Sequence, residues 1–116
     1  MRIVKFGIIG CGLMGREFAS AAARWCHLPE MDVRPEIIAI CDTNKSLLDW
    51  YTANIPTIKQ VTGSYKELLA NPEVDAVYIA VPHNLHEEFY CAAINAGKHL
   101  LGEKPFGIDK KANEAI

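Results

Sequence analysis

Val4-Lys5-Phe6-Gly7-Ile8-Ile9-Gly10-Cys11-Gly12-Leu13-Met14-Gly15 decides how the rest of this chain is read. Val4 to Ile9 is a compact apolar run closed by a glycine, the pattern of a buried strand. From Leu13 onward the apolar residues recur at helical spacing. Met14, Phe18, Ala22 and Trp25 share a stripe, with Arg16, Glu17, Ser20 and Arg24 mostly off it, which predicts a helix from Leu13 to about Cys26. Between strand and helix lies Gly-x-Gly-x-x-Gly. Gly10 permits the tight turn, Gly12 leaves the backbone open to close approach, and Gly15 lets the helix lie against the strand.

The same alternation continues outward. Pro29 to Pro35 reads as a loop, Glu36 to Cys41 as a second buried strand ending at Asp42, and Lys45 to Asn54 as a helix stopped by Pro56. Thr57 to Val61 reads as a short edge strand. Ser64-Tyr65-Lys66-Glu67 has the form of a capping box before a short helix ended by Asn71-Pro72. Asp75 to Val81 is a further strand. Asn84 can cap the next helix, with Glu87 and Glu88 in its first turn, Leu85, Phe89, Ala92, Ala93 and Ala96 as its apolar face, and Gly97 as its stop. Lys98 to Leu101 makes a fifth strand, and Asp109 begins a last helix. Continuous apolar strands alternating with helices predict an α/β fold: a doubly wound parallel sheet in three layers, α/β/α.

Composition narrows the function classes. A length of 116 residues suits one domain. Half the residues are hydrophobic and the net charge is −2, so no basic surplus argues for nucleic acid and no acidic run for a solvating tail. The N-terminal residues lack a signal-type apolar core, and no stretch approaches the roughly 18 apolar residues of a membrane span. The expected compartment is the cytoplasm, with no membrane partner. Cys11, Cys26, Cys41 and Cys91 form no C-x-x-C pair and read as buried free thiols; no metal site is read. His27 receives no role, His99 reads as structural, and Trp25, Trp50 and the tyrosines read as packing.

A glycine string in this strand–turn–helix context is the dinucleotide fingerprint, with free N–H groups at the helix N-terminus for the phosphates. Asp42, at the end of the second strand, can accept both hydroxyls of an adenosine ribose and would repel a 2′-phosphate. The same residue can also cap the helix that follows. No arginine follows it, although Lys45 is near, so NAD is favoured over NADP. Asp42 lies 27 residues after Gly15, more than the usual spacing of about 20. The Pro29–Pro35 loop accounts for the excess.

Further motifs sit after strand ends: Val81-Pro82-His83-Asn84-Leu85-His86 and Gly97-Lys98-His99-Leu100-Leu101-Gly102-Glu103-Lys104-Pro105. Together with the glycine string, Val74-Asp75-Ala76-Val77 and Ala96-Gly97-Lys98-His99, they make the chain resemble the N-terminal part of the glucose-fructose oxidoreductase / inositol dehydrogenase / MocA family, over nearly its whole length. The resemblance implies a Rossmann-like domain of an NAD(P)-dependent oxidoreductase that moves hydride between nicotinamide and a hydroxyl or carbonyl of a sugar, cyclitol or related polyol. By match, Lys104 is the catalytic lysine beside the nicotinamide, and Glu103 contacts the nicotinamide ribose. Gly10, Gly12, Leu13, Met14, Gly15 and Asp42 hold the rest of the cofactor, with Val81, Pro82, His83, Asn84 and His86 bordering it. His83 departs from the Asn or Pro common at its place. His86 can alternatively bridge its helix to a neighbouring loop.

The resemblance further implies a second domain with the substrate pocket, an Asp and His pair, and a homo-oligomer interface. The two-halved doubly wound arrangement calls for a sixth strand after the helix begun at Asp109. Residues 1–116 are therefore expected to be a cofactor-binding domain incomplete at its C-terminal end. Such a chain is expected to bind the dinucleotide without efficient turnover. An NAD(P)-sensing regulator of the same family is the alternative reading, and a naturally short subunit a third.

Overall fold

The computed structural model describes residues 2–25 and 32–116. Five strands, β1 (Arg2–Ile9), β2 (Val33–Cys41), β3 (Gln60–Thr62), β4 (Ala76–Ile79) and β5 (His99–Gly102), form one parallel sheet in the order β3-β2-β1-β4-β5. They alternate with α1 (Leu13–Ala23), α2 (Lys45–Asn54), α3 (Tyr65–Leu69), α4 (His86–Asn95) and α5 (Lys110–Ala115). The chain winds outward from β1 to β3, then returns to the other side of β1 as β4. Strand order reverses there, and the loops after β1 and β4 part to leave a crevice at the carboxyl ends of the strands.

Two cores lie on the two faces of the sheet. Ile8, Ala19, Ile40, Leu48 and Tyr51 pack under α1 and α2. Ile9, Leu68, Val77, Tyr90 and Ala93 pack under α3 and α4. A bulge divides β2 between them: Phe6 pairs with Ile37 but Gly7 with Ala39, leaving Ile38 as the extra residue. Ile37 and Ile40 therefore face one core, while Ile38, Ala39 and Cys41 face the other.

The strand boundaries differ from the expected ones for identifiable reasons. β1 starts at Arg2 and β2 at Val33, so the expected Pro29–Pro35 loop yields residues 33–35 to the sheet. Pro35 is tolerated because β3 reaches only Ala39 to Cys41, and the first half of β2 has a single neighbour. The third strand is Gln60–Thr62 rather than Thr57–Val61. Thr57 instead donates its hydroxyl to the Ile37 carbonyl at 2.6 Å. Cys26, His27 and Pro29 lie outside the described residues.

The helices differ as well. Met14 does not join the buried stripe of α1 and is 48% exposed. Gly15 and Ala19 are the buried pair, because two small residues a turn apart let α1 approach the sheet. Asn84 does not cap α4. The Leu85 amide donates to the Pro82 carbonyl at 2.9 Å, which winds His83–Leu85 into a 3-10 turn, so α4 starts later with Leu85 as an N-cap lacking a side-chain bond. The buried face of α4 is His86, Tyr90 and Ala93, while Ala96 is exposed.

Several motif residues hold the scaffold together. The Ser64 hydroxyl accepts from the Glu67 amide at 3.4 Å. Glu67 does not return to the Ser64 amide as in a closed capping box; its carboxylate accepts from the Thr62 hydroxyl, and Thr62 accepts from Ser64 N–H. Asp75 accepts from the Lys5 amide at 2.9 Å. Lys98 Nζ donates to the carbonyls of Asn71 and Val74 at 2.8 and 2.7 Å, closing the end of α3. Val74-Asp75 and Gly97-Lys98 thus serve the sheet and its connections.

Gly15 is a tight point of the packing of α1, since a Cβ there would press on the Gly10 carbonyl and come within 2.7 Å of the Tyr51 hydroxyl. Gly15→Ala should lower unfolding stability by about 1–3 kcal/mol, read from denaturant melts. Unchanged stability would contradict the packing.

Candidate functional site

The glycine loop is built from beneath. Gly10 has φ +96°, a region open to glycine, and a Cβ there would collide with the Ala80 carbonyl. Its amide donates to the Cys41 carbonyl at 2.9 Å, and the Ala80 amide donates to the Ile9 carbonyl at 2.8 Å, so the turn is held by both neighbouring strands. Gly12 is different: a Cβ there would meet nothing within 4 Å. The fold does not need glycine at that position; the open space lies on the outer side of the loop. The N-terminus of α1 has no side-chain cap and no acidic residue in its first turn, so its amides and dipole face outward unneutralised. Leu13, 70% exposed, and Met14 stand at this end.

Asp42 stands opposite. One carboxylate oxygen accepts from the Cys11 amide and the other from the Asn44 amide, both at 2.8 Å. Asp42 does not cap α2. Asn44 does, with its side chain accepting from the Ser46 amide at 3.1 Å. A carboxylate offers about four acceptor directions, so each Asp42 oxygen retains one.

Beside it, a slot of about 180 Å³ opens between the ends of β1, β2 and β4. Asp42, Thr43, Gly63, Val81, Pro82 and Leu85 are among its walls, and Tyr65 and Phe89, stacked at 4.2 Å, close its far side. Tyr65, Phe89, Thr43 and Gly63 escaped sequence reasoning. Their only signal was position in loops after strands or on helix faces, which packing residues share.

The third part of the rim is Glu103-Lys104-Pro105, directly after β5. The Glu103 carboxylate accepts from the Tyr78 hydroxyl, and its backbone carbonyl from the Tyr90 hydroxyl at 2.7 Å. The Lys104–Pro105 peptide is cis. Lys104 is exposed, and among the described residues its amine has no hydrogen-bond or ion-pair partner. His83 and Asn84 are exposed on the neighbouring loop. His86 is only 1% exposed. Its Nδ1 lies 2.6 Å from the Pro105 carbonyl oxygen and its Nε2 3.1 Å from that of Val81. The structure therefore places His86 under two loops of the rim rather than on its surface. Among the described residues there is no group of three or more His, Cys, Asp or Glu side chains fit for a metal ion, and no helix long and apolar enough to cross a membrane.

The glycine turn, open helix N-terminus and carboxylate define a Rossmann-type dinucleotide-binding fold. Residues 4–115 match the model of an oxidoreductase family with an NAD-binding Rossmann fold, the GFO_IDH_MocA family, and the chain belongs to it. It is 40% identical over 105 residues to a 1-carboxy-3-chloro-3,4-dihydroxycyclohexa-1,5-diene dehydrogenase of Comamonas testosteroni, covering 90% of this chain and 24% of that protein. It is 35% identical over 104 residues to a 1,5-anhydro-D-fructose reductase of Ensifer adhaerens, covering 90% of this chain and 29% of that protein. A levoglucosan dehydrogenase solved with NADH and L-sorbose superposes with a TM-score of 0.88 at 28% identity, covering 99% of this chain and 31% of that one. The chain thus spans less than a third of each relative's length.

Burial pushes the thiols beside the loop up from 9.0, Cys11 to about 12 and Cys41 to about 11, with the Asp42 charge adding to both. Both stay protonated in the fold while the unfolded chain ionises from pH 9 upward. Their contribution to stability is therefore complete below pH 9 and lost as pH rises toward 12. Urea melts across pH 8–11 should show that loss, and at pH 8 alkylation with peptide mapping should leave Cys11 and Cys41 unmodified. Rapid labelling of either would contradict their burial.

Proposed function

We propose that this chain holds NAD(H) across its crevice and supplies the cofactor side of a sugar or cyclitol dehydrogenase. The observation that carries the reading is the open space at Gly12, which the fold itself does not use, facing an uncapped helix N-terminus across from Asp42. Gly10 to Gly15 would take the pyrophosphate on backbone N–H groups. The free acceptor directions of Asp42 suit the two hydroxyls of the adenosine ribose, and its charge disfavours a 2′-phosphate. The apolar slot between Val81, Leu85 and Phe89 suits a flat base. When bound, the nicotinamide supplies a hydride acceptor or donor.

The residues of this chain would then place and polarise. Lys104 presents an ammonium group at the rim, where it can stabilise developing negative charge on a substrate oxygen or move a proton to it. Glu103, held by Tyr78 and Tyr90, presents the loop on which Lys104 stands. Val81, Pro82, His83 and Asn84 border the same end. The substrate pocket, the remaining acid/base groups and any oligomer interface are assigned, in this reading, to sequence outside these 116 residues. The share of each relative that the chain spans supports that division. The absence of a long apolar helix among the described residues is compatible with a cytoplasmic enzyme.

NADH titration followed by fluorescence tests the reading. Gly12→Ala should weaken NADH at least about tenfold while changing stability by no more than about 0.5 kcal/mol. Asp42→Ala should weaken it by about tenfold to a hundredfold and narrow the preference over NADPH. No binding by the unchanged chain at millimolar NADH, or equal binding by both variants, would overturn it.

A further inference from the structure

We propose that His86 and Tyr90, two buried side chains one turn apart on α4, are positioning residues that hold Lys104 at the nicotinamide end of the crevice; this rests on the dinucleotide reading above. Tyr90 is fully buried and His86 nearly so. Buried polar groups are costly unless paired, and these two direct their polar atoms to one segment, 102–106, and to Val81. Tyr90 donates to the Glu103 carbonyl at 2.7 Å, and the Pro105 carbonyl meets His86 Nδ1 at 2.6 Å. The Tyr90 ring lies so close over Gly102 that a Cβ there would come within 2.7 Å of it, and it meets the edge of Phe106 at 5.8 Å. The two rings stack on one another at 4.6 Å. Gly102, Glu103, Pro105 and Phe106 thus each meet His86 or Tyr90 of α4, and Lys104 projects from between them. Burial pushes the Tyr90 hydroxyl up, so it remains a donor throughout the neutral range.

The other ring nitrogen of His86 faces the Val81 carbonyl at 3.1 Å; a neutral imidazole donates from one nitrogen only, so one of the two carbonyls takes the hydrogen bond and the other is met by close packing of the ring. One helix therefore sets both the loop bordering the cofactor and the loop carrying the lysine. A misplacement of about 1 Å in a reacting group can cost on the order of a hundredfold in rate. Two loops referenced to the same helix keep a fixed separation.

The test uses the protein with its lysines reductively ¹³C-methylated and the Lys104 signal assigned through Lys104→Arg. In the unchanged protein, saturating NADH should shift the Lys104 methyl signal. Tyr90→Phe keeps the ring and its stack and removes only the hydroxyl. It should bind NADH within about threefold of the unchanged protein, while the NADH-induced shift at Lys104 falls to less than about half. His86→Asn should reduce both. The Lys98 signal, clamped on the end of α3, is the control, because general loosening of the fold would move it too. An undiminished Lys104 response in both variants overturns the inference, as does a Tyr90→Phe effect shared equally by Lys98. Binding of NADH without any response of Lys104 in the unchanged protein overturns the inference and leaves the dinucleotide reading standing. No binding at all overturns that reading and the inference with it.

Discussion

The close approach of α1 to β1 is the constraint on which the rest of the structure depends. Gly10 turns the chain against the Ala80 carbonyl, and Gly15 brings the helix back within reach of the Gly10 carbonyl and the Tyr51 hydroxyl. That hydroxyl lies 3.5 Å from the Gly12 carbonyl, so α2 supports the loop from below. The Cys11 amide is then free to meet Asp42, which joins the glycine loop to the end of β2. Loop, helix N-terminus and carboxylate become one rigid unit with its outer side open. Fixing donors before a ligand arrives lowers the ordering cost of binding.

The other half of the crevice obeys a second constraint, set by α4. A 3-10 turn delays the start of this helix and turns His86 and Tyr90 inward. Both side chains turn their polar atoms to backbone carbonyls of loops that have no regular structure of their own. On the other face of the sheet Tyr78, stacked on Phe18 at 4.5 Å, holds the Glu103 carboxylate. The Glu-Lys-Pro segment is therefore anchored from both layers, although it is exposed at its tip.

The alternation of strands and helices was legible because each strand is a continuous apolar run between turn residues. The glycine loop was legible because its spacing answers a steric need. Resemblance supplied Lys104 and Glu103; nothing in their own spacing did. What escaped sequence reasoning depends on tertiary partners. Pro35 reads as a loop residue until β3 is seen to stop short of it. The bulge at Ile38 resets the alternation of β2, and its sign in the sequence, Gly7, lies on the facing strand rather than on β2 itself. His86 and Tyr90 fall off the predicted apolar face of their helix, yet both are buried, with loop carbonyls facing their polar atoms. Met14 looked like core because it is apolar at the right spacing, but two smaller neighbours occupy the contact.

The claim at the centre of this account is that the three loops after β1, β4 and β5, with Asp42 after β2, act as one nicotinamide dinucleotide site. Backbone amide NMR during NADH titration tests it most directly. The account predicts saturable shifts at Gly10 to Gly15, Asp42, Val81, His83, Asn84, Glu103 and Lys104, with the outer faces of α2 and α5 unmoved. Saturable shifts confined to other surfaces, or none at these loops, would contradict it.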